Sequence, residues 1–324
     1  MGEPDWKIPD DLQPKPGQQS YDLNRALRAV VGIKCSVPAD AFTASILGTE
    51  RAGNGVIIGK KGLVLTIGYL VTEADQVWMT TLGGGVVQGH VLAVDQATGF
   101  GLVQALGRIE MPALELGDSA AVEPGANCVF AGSGGIEHAV DVQVVARRPF
   151  AGYWEYMLDR PIFTGPAHPF WGGGGLIGED GKLIGIGSLI VQQTSPGGEQ
   201  VDLNMVVPTE LLVPILDDLV NRGGSQIPPR PWLGIYCGED NGQVLVQRVS
   251  PGGPAERADI RPGDRILSVG DVDVADLITL WRTIWARGAA GTVVPLTIGR
   301  ARATMRAAVH SADRSSFLKH PRLH

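Results

Sequence analysis

Few residues in this chain are typed and spaced for covalent chemistry. Gly132-Ser133-Gly134-Gly135 has the outward form of a loop presenting a serine hydroxyl. Peptide cleavage by serine also needs an imidazole to take the proton and a buried carboxylate to orient that imidazole. His90, His138 and His168 stand isolated, without metal-ligand spacing, so no metal or other cofactor is implied. The run Gly172-Gly173-Gly174-Gly175 leads into a strand pattern rather than a helix, which argues against a phosphate cradle. Cys35, Cys128 and Cys237 lie far apart with no C-x-x-C pair and read as reduced thiols. Residues 1–19 are polar and proline-containing, without a secretory pattern. The expected location is therefore cytoplasmic, or periplasmic if a leader has been removed.

The elements that must position any such group are mostly strands. Short β-rich runs with glycine punctuation recur at 30–37, 55–58, 63–66, 76–81, 86–94, 102–105, 127–131, 140–146, 156–162, 175–177, 183–191 and 203–207. Many short strands with few helices argue a mainly β barrel or sandwich. Leu23, Ala26, Leu27 and Val30 suit a short helix over 21–31; Leu211, Leu212, Ile215, Leu216 and Leu219 suit one over 209–222, capped by Thr209. The proline-rich stretch 225–231 is a stiff connector. Beyond it the pattern is three strands, a helix at 277–285 and two strands. At 324 residues the chain has room for two domains. The expected division is an extended arm (1–20), a first domain (21–224), a linker (225–231), a second domain (232–310) and a loose tail (311–324). A net charge of −7 and the lack of a basic run longer than Arg147-Arg148 argue against nucleic acid as partner. No stretch approaches the ~18 apolar residues of a membrane helix.

Several motifs occur in a telling order. Gly53-Asn54-Gly55-Val56-Ile57-Ile58 precedes Leu63-Val64-Leu65-Thr66-Ile67-Gly68-Tyr69-Leu70-Val71, then Asp95-Gln96-Ala97-Thr98-Gly99-Phe100-Gly101-Leu102 and Leu114-Glu115-Leu116-Gly117-Asp118-Ser119. Pro169-Phe170-Trp171-Gly172-Gly173-Gly174-Gly175-Leu176 follows, with the hairpin Glu179-Asp180-Gly181-Lys182-Leu183-Ile184-Gly185-Ile186 and then Asn204-Met205-Val206-Val207-Pro208. Together they resemble the HtrA (Deg) family of trypsin-like serine proteases. The resemblance implies a mainly β fold, a chymotrypsin/trypsin-like double six-stranded β-barrel followed by a PDZ domain. It also puts Tyr69 on the family's histidine, Gly99 on its aspartate and Gly172 on its serine. Phe170 falls on the first oxyanion-hole glycine, followed by the bulky Trp171. Ser133 arrives well before the aligned loop, with no histidine at the aligned base position, and is expected to be a structural turn.

Arg230-Pro231-Trp232-Leu233-Gly234-Ile235 and the stretch from Ser250-Pro251-Gly252-Gly253 to Asp264-Arg265-Ile266-Leu267 resemble the PDZ module of that family. The resemblance implies a carboxylate-binding loop at Trp232, Leu233 and Gly234, a peptide added as a strand beside Ile235 and Tyr236, and an apolar pocket lined by Leu280 and Ile284. The expectation is a catalytically inactive member that binds peptide or protein segments, C-terminal ends through its PDZ domain, as adaptor, scaffold or regulatory subunit. The alternatives are residual or non-standard serine endopeptidase activity and a purely structural subunit. Family members commonly form trimers, so a homo-oligomer through Trp6 and the first helix, or a place in a hetero-complex, is also implied.

Overall fold

The computed structural model describes residues 6–194 and 197–319; residues 1–5 of the expected arm and 320–324 of the expected tail lie outside the described residues. Alternating burial along the first strands shows why they close on themselves. In Gln76–Thr80, Val77 and Met79 are buried while Gln76, Trp78 and Thr80 face out, the period of two of a half-buried strand. Strands β1 (Val30–Ser36), β2 (Glu50–Gly59), β3 (Leu63–Ile67), β4 (Gln76–Thr80), β5 (Val86–Val94) and β6 (Phe100–Ala105) form a closed barrel in the order β1-β2-β3-β6-β5-β4. β1 pairs with both β2 and β4, placing Ile33 opposite Gly53 on one side and Met79 on the other, and closure leaves no free edge.

The second barrel repeats the arrangement. β7 (Asn127–Ala131), β8 (Ala139–Arg147), β11 (Ile162–Gly165), β12 (Gly175–Ile177), β13 (Leu183–Thr194) and β14 (Gln200–Pro208) close in the order β11-β14-β13-β12-β7-β8. Between β8 and β11 the chain makes a two-stranded ribbon, β9 (Phe150–Ala151) with β10 (Met157–Leu158).

Two of the three expected helices are shorter than their apolar spacing predicts. The first is Leu23–Leu27, capped by the Asp22 side chain, because Val30 is drawn into β1. The segment 209–222 splits into a 3₁₀ turn, Thr209–Leu211, and a helix, Leu216–Arg222. Pro214 lies between them, where its missing N–H and its ring do not fit a helix interior. Thr209 does not cap; its hydroxyl donates to Gly117 O at 3.1 Å.

The PDZ sheet consists of β15 (Ile235–Asp240), β16 (Gln243–Val249), β17 (Arg265–Val269), β19 (Val293–Arg300) and β20 (Ala303–His310), with β18 (Val272–Asp273) paired to β17. Its helix, Leu277–Trp285, is capped by the Asp276 carboxylate on Thr279 N at 2.6 Å. Leu277, Leu280, Trp281 and Ile284 are buried along one face of it. They join Leu233, Ile235, Val246 and Ile266 in one apolar cluster, each large side chain contributing roughly 1.5–3 kcal/mol by leaving water.

The chain forms two compact units. One holds both barrels; the other comprises Ile227–Leu318 and, from earlier in the sequence, Pro149–Asp159. The ribbon β9–β10 is therefore part of the PDZ unit, and Met157 is buried in the PDZ cluster with Ala151 packed against it.

Candidate functional site

Tyr69 sits in the helical turn Gly68–Val71 that follows β3. Buried Arg51 fixes this turn, its Nη1 donating to Tyr69 O at 2.8 Å and Thr72 O at 2.9 Å. The phenol then reaches the other barrel and donates to Ser188 O at 3.0 Å. A Cβ built on Gly172 would lie 2.7 Å from Tyr69 Oη, so the phenol occupies the space a side chain at 172 would enter. The two positions thus face each other across the crevice. Burial pushes the phenol's pKa up from its ordinary value, so Tyr69 is a neutral donor here and not a proton acceptor.

Gly99 meets the same turn through its backbone. Its carbonyl accepts from Gly68 N at 2.7 Å and its N–H donates to Asp95 O at 2.8 Å. Its φ of +86° belongs to the region glycine favours, and the preceding residues are set by the Asp95 carboxylate on Thr98 N and Oγ1.

The loop 170–173 is held by one buried residue, Asn54 of β2. Asn54 N donates to Gly172 O at 2.8 Å, its Nδ2 to Phe170 O at 3.0 Å and Gly172 O at 3.2 Å, and its Oδ1 accepts from Ser133 N at 2.8 Å. Gly173 passes so close to β2 that a Cβ would stand 1.9 Å from Asn54 O. An oxyanion hole needs N–H groups aimed at open space. The Phe170 N–H instead donates to His168 Nδ1 at 3.0 Å. The Nε2–H of fully buried His168 donates to His138 O at 3.1 Å, and burial lowers the imidazole's pKa to about 4. The Nδ1 of His138 faces Ser133 O at 2.5 Å and its Nε2 faces Trp6 O at 3.1 Å. Both histidines therefore direct their ring nitrogens to groups other than the Ser133 hydroxyl. Trp6 lies against His138 and Phe170, with ring centroids 4.3 and 4.4 Å away.

The PDZ loop is organised around a carboxylate. Gly234, at φ +79°, turns three successive N–H groups inward, and all three meet Glu155 of the β9–β10 ribbon. Leu233 N donates to its Oε2 at 2.9 Å and Oε1 at 3.1 Å, Gly234 N to Oε1 at 2.6 Å and Ile235 N to Oε1 at 3.1 Å. Trp232 takes another part: its N–H donates to Ala312 O at 3.0 Å and its ring packs on Phe317. Tyr236 lies along the ribbon, bridged antiparallel to Trp154, with Arg248 over its ring at 4.1 Å. Leu280 and Ile284 are fully buried in the apolar cluster behind.

Asn54, Arg51 and Glu155 escaped the sequence reading. Asn54 lies inside a quoted motif but looks like a strand residue, and Glu155 lies 78–80 residues before the N–H groups it meets. The one signal around Glu155 is local: a lone acid in the aromatic run Tyr153-Trp154-Glu155-Tyr156.

The two folds agree with the family matches. A trypsin-like peptidase domain model matches residues 53–186 and a PDZ domain model matches residues 231–310. The chain is thus a trypsin-like peptidase domain followed by a PDZ domain. It is similar to bacterial proteins named serine protease HhoB, DegP-like periplasmic serine endoprotease and serine protease Do-like HtrA. A putative serine protease HhoB of Synechocystis sp. is 28% identical over 69% of this chain and 58% of that protein. A probable periplasmic serine endoprotease DegP-like of Hahella chejuensis is 24% identical over 68% of this chain and 48% of its own length. The chain spans about half the length of these curated relatives. Among solved structures, the HtrA-type protease AlgW with decapeptide aligns at TM-score 0.53 and 20% identity, covering 93% of this chain and 98% of that one, a likeness of fold.

Two expectations are corrected by these relatives. The reading of an inactive, non-enzymatic adaptor conflicts with relatives named serine proteases and endoproteases; it rested on the three aligned positions and the altered loop at Phe170 and Trp171. The cytoplasmic location conflicts with relatives named periplasmic. The thiols misled for a physical reason: Cys35, Cys128 and Cys237 are each buried in a different sheet, so none offers an exposed thiol for pairing in any compartment. Burial pushes the first two thiols up to about 12.

Proposed function

We propose that this chain acts in the serine endopeptidase class, with non-standard chemistry, and that its PDZ domain grips protein C-terminal ends. The observation carrying this reading is the convergence of the Leu233, Gly234 and Ile235 N–H groups on one carboxylate. A terminal carboxylate has the same geometry and charge, and charge-assisted bonds of this kind are the strong ones. Support for the endopeptidase class comes from the names of the relatives. Tyr69, Gly99 and Gly172 offer it neither nucleophile nor base, so hydrolysis by this chain uses another hydroxyl. The backbone of Ser133 and of Ser188 lies beside the loop, through Asn54 and Tyr69, which makes these two the serines to examine first. The relatives' names also support an extracytoplasmic, periplasm-like location.

Incubation with casein and with a fluorophosphonate probe tests the enzymatic half. Turnover, with labelling mapped to one serine and lost on its replacement by alanine, supports it; neither turnover nor labelling overturns it. The binding half is tested by polarisation of a fluorescein-labelled octapeptide with an apolar C-terminal residue. Saturable binding, lost when the peptide is amidated, is expected.

A further inference from the structure

The PDZ groove is furnished with a ligand from its own chain. Beyond the Glu155 carboxylate, Tyr153 O accepts from Cys237 N at 2.6 Å and Trp154 pairs antiparallel with Tyr236, so the segment runs as an added strand on β15. Gly152 O accepts from Trp281 Nε1 on the helix at 3.1 Å. Arg282, one residue further along that helix, holds Asp159 at 2.5 Å. Ala151 and Met157 pack on the cluster that contains Leu280 and Ile284. Strand addition, carboxylate capture and apolar anchoring are the three contacts a bound C-terminal peptide makes, and the ribbon makes all three. Glu155 as a whole residue is only partly covered, yet its carboxylate is enclosed by the loop.

We propose that residues 149–159 are a resident ligand of the PDZ groove, with the Glu155 side chain standing in for a chain terminus, and that an incoming C-terminal peptide binds by displacing it. The proposal rests on the reading that this PDZ domain takes C-terminal ends. The segment is covalently bracketed by β8 and β11, so its binding is intramolecular, at an effective concentration of about millimolar for a short tether. A peptide therefore sees a groove that is open only part of the time, and its apparent affinity falls by that fraction. The occupant that displaces it is a protein C-terminus with a free carboxylate and an apolar last side chain.

The test uses the full chain. Glu155→Ala is expected to raise affinity for the free-carboxylate octapeptide by about tenfold or more over the wild type, the inverse of an open fraction of about one tenth. Amide exchange at Leu233, Gly234 and Ile235 is expected to accelerate in the same variant. A second variant keeps the test open should that one unfold. Trp154→Cys with Tyr236→Cys places two thiols at a non-hydrogen-bonded cross-strand pair, where a disulfide fits. Oxidised, it is expected to bind no peptide; reduced, it is expected to bind. If Glu155→Ala and wild type bind the peptide equally well, or the oxidised lock binds as the reduced form does, the resident ligand is disproved while peptide recognition stands. If exchange accelerates in Glu155→Ala but no form binds the peptide, C-terminal recognition itself fails and the displacement mechanism falls with it.

Discussion

Two loops in this molecule are filled from within the chain, by opposite means. In the crevice between the barrels the closure is steric and built into the backbone: the Tyr69 phenol fills the space in front of Gly172, and Gly173 lies against Asn54 with no room for a methyl group. In the PDZ domain the closure is electrostatic, with three N–H groups holding a carboxylate delivered by a ribbon. The first is undone only by repacking a barrel interface. The second can be exchanged for another carboxylate at the cost of lifting Met157 and Ala151 off the apolar cluster, since the same donors serve either ligand.

The contrast predicts a graded set of effects. Gly173→Ala should destabilise the barrels most, by about 4 kcal/mol, because its Cβ meets Asn54 O at 1.9 Å and its φ of +77° strains any L residue. Urea unfolding measures this, and a loss below about 1 kcal/mol would show that the crevice loop yields as easily as the ribbon. Asn54→Ala removes the side-chain partner of Phe170 O, Gly172 O and Ser133 N together and should cost about 2–3 kcal/mol in the same assay.

The ribbon and the crevice loop should respond to pH in opposite senses. Burial holds the His168 pKa at about 4 and its neutral Nδ1 accepts from Phe170 N, so the crevice loop loses stability as pH falls below 6.5 while the ribbon gains it. Burial raises the Glu155 pKa to about 7 in the closed ribbon, against the lowering effect of the Leu233, Ile235 and Gly234 N–H groups and of Arg314; the Cys237 thiol also faces it. Released, the carboxyl returns toward its ordinary 4.5. The closed state thus binds the extra proton between those values, so closure is favoured as pH falls through 7 and release is favoured as pH rises. Amide exchange at Leu233, Gly234 and Ile235, corrected for its intrinsic pH dependence, should show protection falling several-fold from pH 5 to pH 8. Protection that is flat or rises with pH contradicts this. The smallest effect is expected from Tyr69→Phe, which gives up one hydrogen bond to Ser188 O and should cost about 1 kcal/mol.

Both folds were legible because each rests on patterns that are local in sequence. Strand alternation and the order of glycine-bearing turns define the barrels, and the spacing of Leu277, Leu280, Trp281 and Ile284 defines the PDZ helix. The facing of positions 69 and 172 followed from the family resemblance. What stayed hidden depends on contacts between distant segments. Asn54 reaches loop residues more than a hundred positions away, and Glu155 stands just ahead of a stretch, 156–162, that reads as one more strand of the first domain. Polar side chains that satisfy backbone groups leave no periodic trace, so neither could be told from an ordinary surface residue. The segment 209–222 differs from its apolar spacing for a local reason, since Pro214 interrupts a helix that the spacing alone would carry through.

Trp6 gives the crevice loop a handle. Its indole lies against both His138 and Phe170, its carbonyl faces His138 Nε2, and Ile8 just beyond it is buried with its N–H on Glu137 O. Strain on the chain ahead of Trp6 is therefore delivered first to Phe170 and His138, before any barrel strand is disturbed.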